Sequence, residues 1–297
     1  VRLPDFIIIG AMKCATSTLH NQLALNGCHM SDPKEPCFFS DEPRWNRGIE
    51  WYSSLFEQAR PGQLCGESST HYTKLPTHPE TASRMRRVVP DAKLIYVIRD
   101  PIERIVSQYI HEWSQCEITT PFADAIDRHT RLLDYSRYAM QIRPYVEIFG
   151  PDRVLIVFYE CLKDDPLSQL DRVGRFIGLE HTPVWQSEAS SNRSSERLRM
   201  PQPLREILFH PIVSGLRRRL VPARWREAVK SRLRMTDRPE LDPALRDRIE
   251  RVLDDDLAEL ARLTGIHGLC CARFVHLANR NPDPRIRSVS LSEGGGR

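Results

Sequence analysis

Phe6-Ile7-Ile8-Ile9-Gly10-Ala11-Met12-Lys13-Cys14-Ala15-Thr16-Ser17-Thr18 is the stretch that decides the fold. Its first four residues are apolar, and three are β-branched. A run this short and apolar reads as a buried strand, not a helix. Gly10 ends it. From Thr16 to Asn26 the spacing turns helical, with Leu19, Leu23 and Ala24 on one face and Gly27 as the stop. Strand, glycine turn, small hydroxyl residues and helix start together make an anion cradle. Backbone N–H groups and the positive end of the helix dipole face one point. Lys13 adds a full positive charge.

Two further strand-to-helix units follow. Lys93 to Ile98 is a second buried strand. Asp100 caps the next helix and Pro101 opens it. That helix is predicted to reach about Gln115, with Ile102, Ile105, Val106, Tyr109 and Trp113 inward. Arg153 to Tyr159 contains a third strand, and Asp165-Pro166 opens a helix through Leu167, Leu170, Val173 and Phe176 to Gly178. Alternating strands and helices predict an α/β fold: three layers, P-loop-like, with a central parallel sheet flanked by helices. Ligands belong outside the carboxyl ends of such strands. Residues 30–75 are rich in Pro, aromatics and turn formers and read as ordered loops plus one short helix near Ile49 to Gln58. A late helix is predicted from Pro243 to Leu263. The expected organisation is one domain over 1–278, then a flexible tail over 279–297.

The chain has 297 residues, 40% of them hydrophobic and 28% charged, with a net charge of +4. This excludes a disordered chain. No apolar run approaches the roughly 18 residues of a membrane span. No basic leader precedes a long apolar region, so a cytoplasmic bacterial enzyme is expected, although a chain starting at Val1 leaves a removed anchor open. The eight cysteines show no CxxC pair and no metal-ligand spacing, which reads as reduced thiols and no metal. Charge is uneven. Residues 193–234 carry twelve Lys or Arg against three acids, a local +9 that leaves −5 elsewhere. That segment reads either as a solvated arginine-rich face or as a surface for the nucleotide, an acidic acceptor or an anionic membrane. No nucleic-acid partner is expected.

The nucleotide P-loop GxxxxGK[ST] is the obvious comparison. Aligned from Gly10, Ala15 replaces its second glycine and Thr16 its lysine, while the lysine moves to position 13. The cradle is kept and the point charge displaced, which argues against a Walker-type kinase or hydrolase. At the end of the second strand comes Arg99-Asp-Pro-Ile-Glu-Arg-Ile-Val-Ser107. An arginine leaving a strand's carboxyl end suits a second phosphate, since arginine binds phosphate bidentately. The bland alternative has Arg99 pairing only with Asp100 or Glu103.

These motifs resemble those of sulfotransferases that use 3′-phosphoadenosine 5′-phosphosulfate (PAPS) and release 3′-phosphoadenosine 5′-phosphate (PAP). The sequence is most similar to the heparan-sulfate-type branch and its bacterial relatives. Three more segments carry the likeness: Lys34-Glu35-Pro-Cys-Phe38-Phe39, Gly48-Ile-Glu-Trp51-Tyr52-Ser-Ser-Leu55-Phe56 and Gly66-Glu67-Ser-Ser-Thr-His71-Tyr72. The resemblance implies sulfuryl transfer to a hydroxyl or amine of a carbohydrate, glycolipid or small metabolite. Lys13 would stabilise the leaving phosphate oxygen. Cys14, Ala15, Thr16, Ser17 and Thr18 would wrap the 5′-phosphate, while Arg99 and Ser107 would hold the 3′-phosphate. Glu35 maps onto the base, and His71 is its rival. His20 reads as an ordinary residue of the first helix. Arg193 and Arg197 fall near the loop that covers the nucleotide. The family's Gly-Glu segment often continues with a lysine and a proline. Here those positions are Ser68 and Thr70, which puts a heparan-like acceptor in doubt, and Lys74 is the nearest substitute. Phe38, Phe39, Trp51, Tyr52 and Phe56 are either core or an acceptor wall. A non-catalytic nucleotide- or polyanion-binding module remains an alternative.

Overall fold

The computed structural model describes residues 1–186 and 238–286. Five parallel strands form one sheet in the order β2-β3-β1-β4-β5. They are β1 (Phe6–Gly10), β2 (His29–Met30), β3 (Cys65–Ser68), β4 (Lys93–Ile98) and β5 (Val154–Phe158). Six helices carry the argument: α1 (Thr16–Leu25), α2 (Pro101–Ser114), α3 (Tyr138–Phe149), α4 (Pro166–Ile177), α5 (Pro243–Thr264) and α6 (Phe274–Arg280). The predicted α/β class and central parallel sheet are therefore present.

β1, β4 and β5 are buried along nearly their whole length, as continuous apolar runs should be. Strand order reverses beside β1, with β3 and β2 on one flank and β4 and β5 on the other. The loops after β1 and β4 therefore open side by side. Between Ile8 and Gly10 the β1–β4 register shifts, so β1 leaves the sheet where the cradle begins. Buried apolar residues from Phe6 to Ala278 form one continuous cluster.

The caps work as predicted. The Asp100 carboxylate accepts from Glu103 N at 2.8 Å at the start of α2, and Asp165 accepts from Ser168 N at 3.2 Å at the start of α4. Gly178 ends α4 in the left-handed conformation, φ 93°. Asp256 of α5 reaches across the fold and accepts from Ala139 N and Met140 N at 2.8 and 2.9 Å. This ties the late helix to the first turn of α3.

Several expectations need correction. Residues 30–75 are not only loops, because β2 begins beside them and β3 lies inside them next to β1. The short helix spans Gly48–Ser54, and Phe56 beyond it tucks into the core. Leu167 points outward, 48% exposed. The predicted tail starts too early. Asn279 and Arg280 complete α6, Pro282 O accepts from Gln169, and Asp283 pairs with Arg172 at 2.5 Å.

Gly66 of β3 faces Phe6 of β1, and a Cβ built there would lie 2.3 Å from the phenyl ring. Both residues are buried, and overpacking of this kind costs about 1–3 kcal/mol. Gly66→Ala is expected to lower the unfolding free energy by that amount, seen as a lower urea midpoint with an unchanged m-value. An unmoved midpoint would show that the ring has room to yield.

Candidate functional site

The cradle is built from β1 outward. Gly10 has φ 151°, and a Cβ there would sit 1.9 Å from Thr73 Oγ1. Thr73 in turn donates to Ile9 O at 3.0 Å. Only glycine lets the two segments meet this closely. Lys13 and Ala15 both adopt left-handed conformations, φ 70° and 63°. Such turns cost about 1–3 kcal/mol each in a non-glycine residue and direct successive N–H groups inward. Ala15 caps α1 without any side-chain hydrogen bond. The first N–H groups of the helix, from Thr16, Ser17 and Thr18, are thus left for an anion. Cys14 departs from the sequence expectation. Its N–H donates to Ala11 O at 3.2 Å, and burial pushes its thiol up to about 12. Cys14 shapes the loop from inside as a neutral thiol.

Arg99 stands at the end of β4, next to the cradle. Its Nη1 donates to Lys13 O at 3.3 Å, and its guanidinium lies over the Tyr159 ring at 4.9 Å. Nη2 pairs with Glu103 Oε2 at 3.3 Å, while the buried Nε has no hydrogen-bond partner. The bland expectation of an Arg99–Glu103 pair is therefore met, and it coexists with the junction to the cradle. Tyr138 OH donates to Arg99 O at 2.8 Å, and Glu160 accepts from Asp100 N at 2.8 Å. Ser107 is half-buried on α2, one turn beyond Glu103.

Glu35 lies on the loop leading away from β2. Its Oε2 accepts from Thr70 Oγ1 at 2.9 Å and from Thr70 N at 3.2 Å, and Oε1 accepts from Lys34 Nζ at 3.0 Å. Arg44 Nη1 holds the Glu35 carbonyl at 2.8 Å. Burial pushes the carboxyl up, but the charge and hydrogen bond of Lys34 and the two bonds from Thr70 outweigh it. The group sits below the ordinary carboxylate range. Thr70 and Lys34 thus hold the two carboxylate oxygens of Glu35 between them.

His20 links the two halves. Its Nδ1 meets Ser68 Oγ at 2.8 Å, and Ser68 N donates to Lys34 O at 3.3 Å. Cradle helix, β3 and base loop are joined in one chain of contacts. Burial and the charge of Lys34 push the imidazole down to about 4. Sequence reading gave His20 no such role, and no local pattern signals it. His71, the rival base, stacks on His78 at 5.2 Å with its Nδ1 buried and unpartnered. Burial, then the charges of Lys74 and His78, push it down to about 4. Lys74 lies 5.8 Å from the Tyr135 ring, and burial lowers its pKa.

Phe38, Phe39, Tyr52 and Phe56 are buried, so these four belong to the core, and only Trp51 is partly exposed, beneath Arg47. A cavity of about 440 Å³ opens beside His78, with Phe39, Asp41, Thr77, Glu80 and Arg84 in its wall. Arg193, Arg197 and the whole basic segment 193–234 lie outside the described residues. Among the described residues no group of three His, Cys, Asp or Glu side chains is placed to hold a metal ion.

The polar centre of this core is Glu67, fully buried on β3. It accepts from Tyr52 OH at 2.7 Å, Tyr72 OH at 2.9 Å and Ser69 Oγ at 2.9 Å. Burial raises its carboxyl to about 7 against an ordinary value of 4.5, even with three donors opposing. Below pH 4.5 both folded and unfolded chains hold the proton, and the contribution to stability is complete. It is lost as pH rises through 7. Relative to Glu67→Gln, the wild type should lose roughly 3 kcal/mol between pH 4.5 and 8, as judged by urea unfolding. A pH-independent difference would show that Glu67 does not titrate in this window.

Residues 3–260 match the family described as "Sulfotransferase domain". Heparan sulfate glucosamine 3-O-sulfotransferase 3B1 of Mus musculus is 30% identical over 188 residues, covering 60% of this chain and 47% of that protein. Bifunctional heparan sulfate N-deacetylase/N-sulfotransferase 3 of Homo sapiens is 28% identical over 199 residues, covering 60% of this chain and 22% of that protein. The chain thus spans about half or less of the length of these curated relatives. A sulfotransferase structure from Alicyclobacillus acidocaldarius shares the fold, with a TM-score of 0.63 at 23% identity, over 89% of this chain and 96% of that one. With the family match running through β1, β3, β4 and β5, the chain belongs to the sulfotransferase-domain family.

Proposed function

We propose that the protein transfers the sulfuryl group of PAPS to an acceptor hydroxyl or amine. One observation carries this reading: the hydrogen bond from Arg99 to Lys13 O brings the two candidate anion-binding loops together at adjacent strand ends. A nucleotide with phosphates at both its 5′ and 3′ positions needs that arrangement. The residues fit such a ligand. The start of α1 has no side-chain cap, and Arg99 Nε is buried with an unused donor.

The roles follow from position. The amides of Ala15 to Thr18 and the positive end of α1 hold the 5′-phosphate, and Arg99 and Ser107 hold the 3′-phosphate. In transfer, the sulfur–oxygen bond to that 5′-phosphate breaks as a bond to the acceptor forms. Lys13 stabilises the charge gathering on the departing oxygen. Glu35 takes the proton from the acceptor. Its lowered pKa keeps it ionised at neutral pH. Carbohydrates, glycolipids and small metabolites are the acceptor classes proposed. No described helix is long and apolar enough to cross a membrane. A cytoplasmic setting, with peripheral contact to an anionic membrane through residues 193–234, belongs to the same proposal.

Radiolabelled transfer from PAPS across an acceptor panel tests the reading. Glu35→Gln is expected to lower kcat by about 10²- to 10⁴-fold, and Lys13→Ala should abolish transfer. His71→Asn should change kcat little. The activity of the wild type should hold as pH falls to the ordinary carboxylate value of 4.5 and be lost only below it, because the Glu35 pKa is lowered. Because His71 is also neutral down to about 4, the variants and not the pH profile separate the two bases. PAP should raise the melting temperature, and no rise at millimolar PAP would sink the proposal.

A further inference from the structure

Beneath the two loops lies one hydroxyl that serves both. Tyr138 OH donates to the backbone carbonyl of Arg99 at 2.8 Å. The Cys14 thiol is a hydrogen-bond neighbour of the same side chain. Cys14 follows Lys13 directly, so this contact meets the cradle one residue from the carbonyl that Arg99 Nη1 engages. Tyr138 and Cys14 are both fully buried. With no exposed surface, Tyr138 offers nothing directly to a ligand.

The tyrosine is held from its far side. It is the first residue of α3, and the next two amides, Ala139 N and Met140 N, donate to the Asp256 carboxylate of α5 at 2.8 and 2.9 Å. Its ring lies 6.3 Å from Phe274 of α6 and edge-on to Tyr96 of β4 at 6.1 Å. Asp256, Phe274 and Tyr96 are buried, so the ring is packed on these sides. The position of the C-terminal helices is thus carried through one side chain to the place where the two loops meet. The two joints differ in kind. The bond to Lys13 O is long, 3.3 Å, and uses a guanidinium nitrogen that an anion also wants. The tyrosine bond places the backbone of Arg99 and leaves its guanidinium for the ligand. A buried carbonyl needs a donor. Without the hydroxyl, the Arg99 carbonyl must turn to find another, and the side chain turns with it.

We infer that Tyr138 is a positioning residue for the nucleotide: its hydroxyl fixes the Arg99 backbone against the Cys14 turn, and Asp256 fixes Tyr138, so α5 sets nucleotide affinity without touching the nucleotide. This rests on the PAPS reading above. A ligand that spans both loops needs their spacing held, whereas a ligand of the cradle alone does not.

Tyr145 supplies an internal control. It stands two turns further along α3, is buried, and its hydroxyl also donates to a backbone carbonyl, that of Tyr72. Tyr138→Phe and Tyr145→Phe therefore remove the same oxygen from matched settings. Melting curves establish a temperature at which each variant is folded, and calorimetric titration with PAP and with AMP, which lacks the 3′-phosphate, follows there. Tyr138→Phe should weaken PAP about fivefold to a hundredfold, the worth of one buried carbonyl left unpaired. It should weaken AMP distinctly less, and Tyr145→Phe should bind PAP as the wild type does. Asp256→Asn should weaken PAP by less than Tyr138→Phe. Combining the two should add no further loss, because Asp256 acts through the hydroxyl. Wild-type PAP affinity in Tyr138→Phe, equal losses for PAP and AMP, or equal losses in the two Tyr→Phe variants would overturn the assignment. Additive losses in the double variant, or none in Asp256→Asn, would overturn the part given to α5. A wild type that ignores PAP altogether would instead remove the PAPS reading on which the inference stands.

Discussion

One hydrogen bond organises the site: Arg99 Nη1 to the carbonyl of Lys13. It spans the gap between the ends of β1 and β4, where strand order reverses and the two loops would otherwise move separately. The carbonyl it uses belongs to a residue in a left-handed conformation. That conformation turns the peptide so that its oxygen faces Arg99. The cradle's strain and the arginine's position thus support each other. Gly10 completes the constraint. Without a Cβ it lets Thr73 close behind the loop, and Thr73 secures the last turn of β1 through Ile9 O.

Around this junction the fold relies on buried polar groups with assigned partners. Glu67 takes three hydroxyl donors, and Arg104, fully buried, donates to Ser136, Gln108 and the Leu132 carbonyl. Gln108 passes the chain to Glu112, which pairs with Arg131. An unpaired charge in either place would be costly, so each network admits one arrangement of its neighbours. The Glu67 network fixes Tyr52 and Tyr72, and so sets the base loop against β3. The Arg104 network fixes α2, and so sets Arg99, Glu103 and Ser107.

The same networks explain what was legible in the sequence. β1, β4 and β5 could be read because each is a continuous apolar run, and α2 and α4 because Asp-Pro pairs announce their starts. β3 could not be read. Cys65-Gly-Glu-Ser is polar and glycine-containing, and its buried carboxylate is satisfied by tyrosines on either side of the strand, Tyr52 and Tyr72. α3 carries Pro144 inside it and takes its N-terminal partner from Asp256, more than a hundred residues on, so neither its pattern nor its cap is local. Lys13, Arg99, Ser107 and Glu35 are candidates that motifs name, and the fold places Arg99 against the Lys13 loop. The His20 contact with Ser68 was not legible, since only the folded chain makes it. The turn bond from the Cys14 amide to Ala11 O is likewise invisible in a motif.

The environment of Glu35 bears on the kind of transfer this site can support. A carboxylate held below its usual range is a weak base, and Brønsted behaviour favours bases with pKa near the working pH. A loose transfer eases that conflict. In a loose transition state the bond to the leaving oxygen is mostly broken while the bond to the acceptor is scarcely formed. The acceptor therefore gains little positive charge, and its proton becomes acidic only late, when even a weak base can take it. The larger demand would fall on the leaving side, to which the proposed roles assign Lys13, the cradle amides and the α1 dipole. On the proposed roles, a cation-rich leaving side and a weak base are both what one loose displacement would ask for.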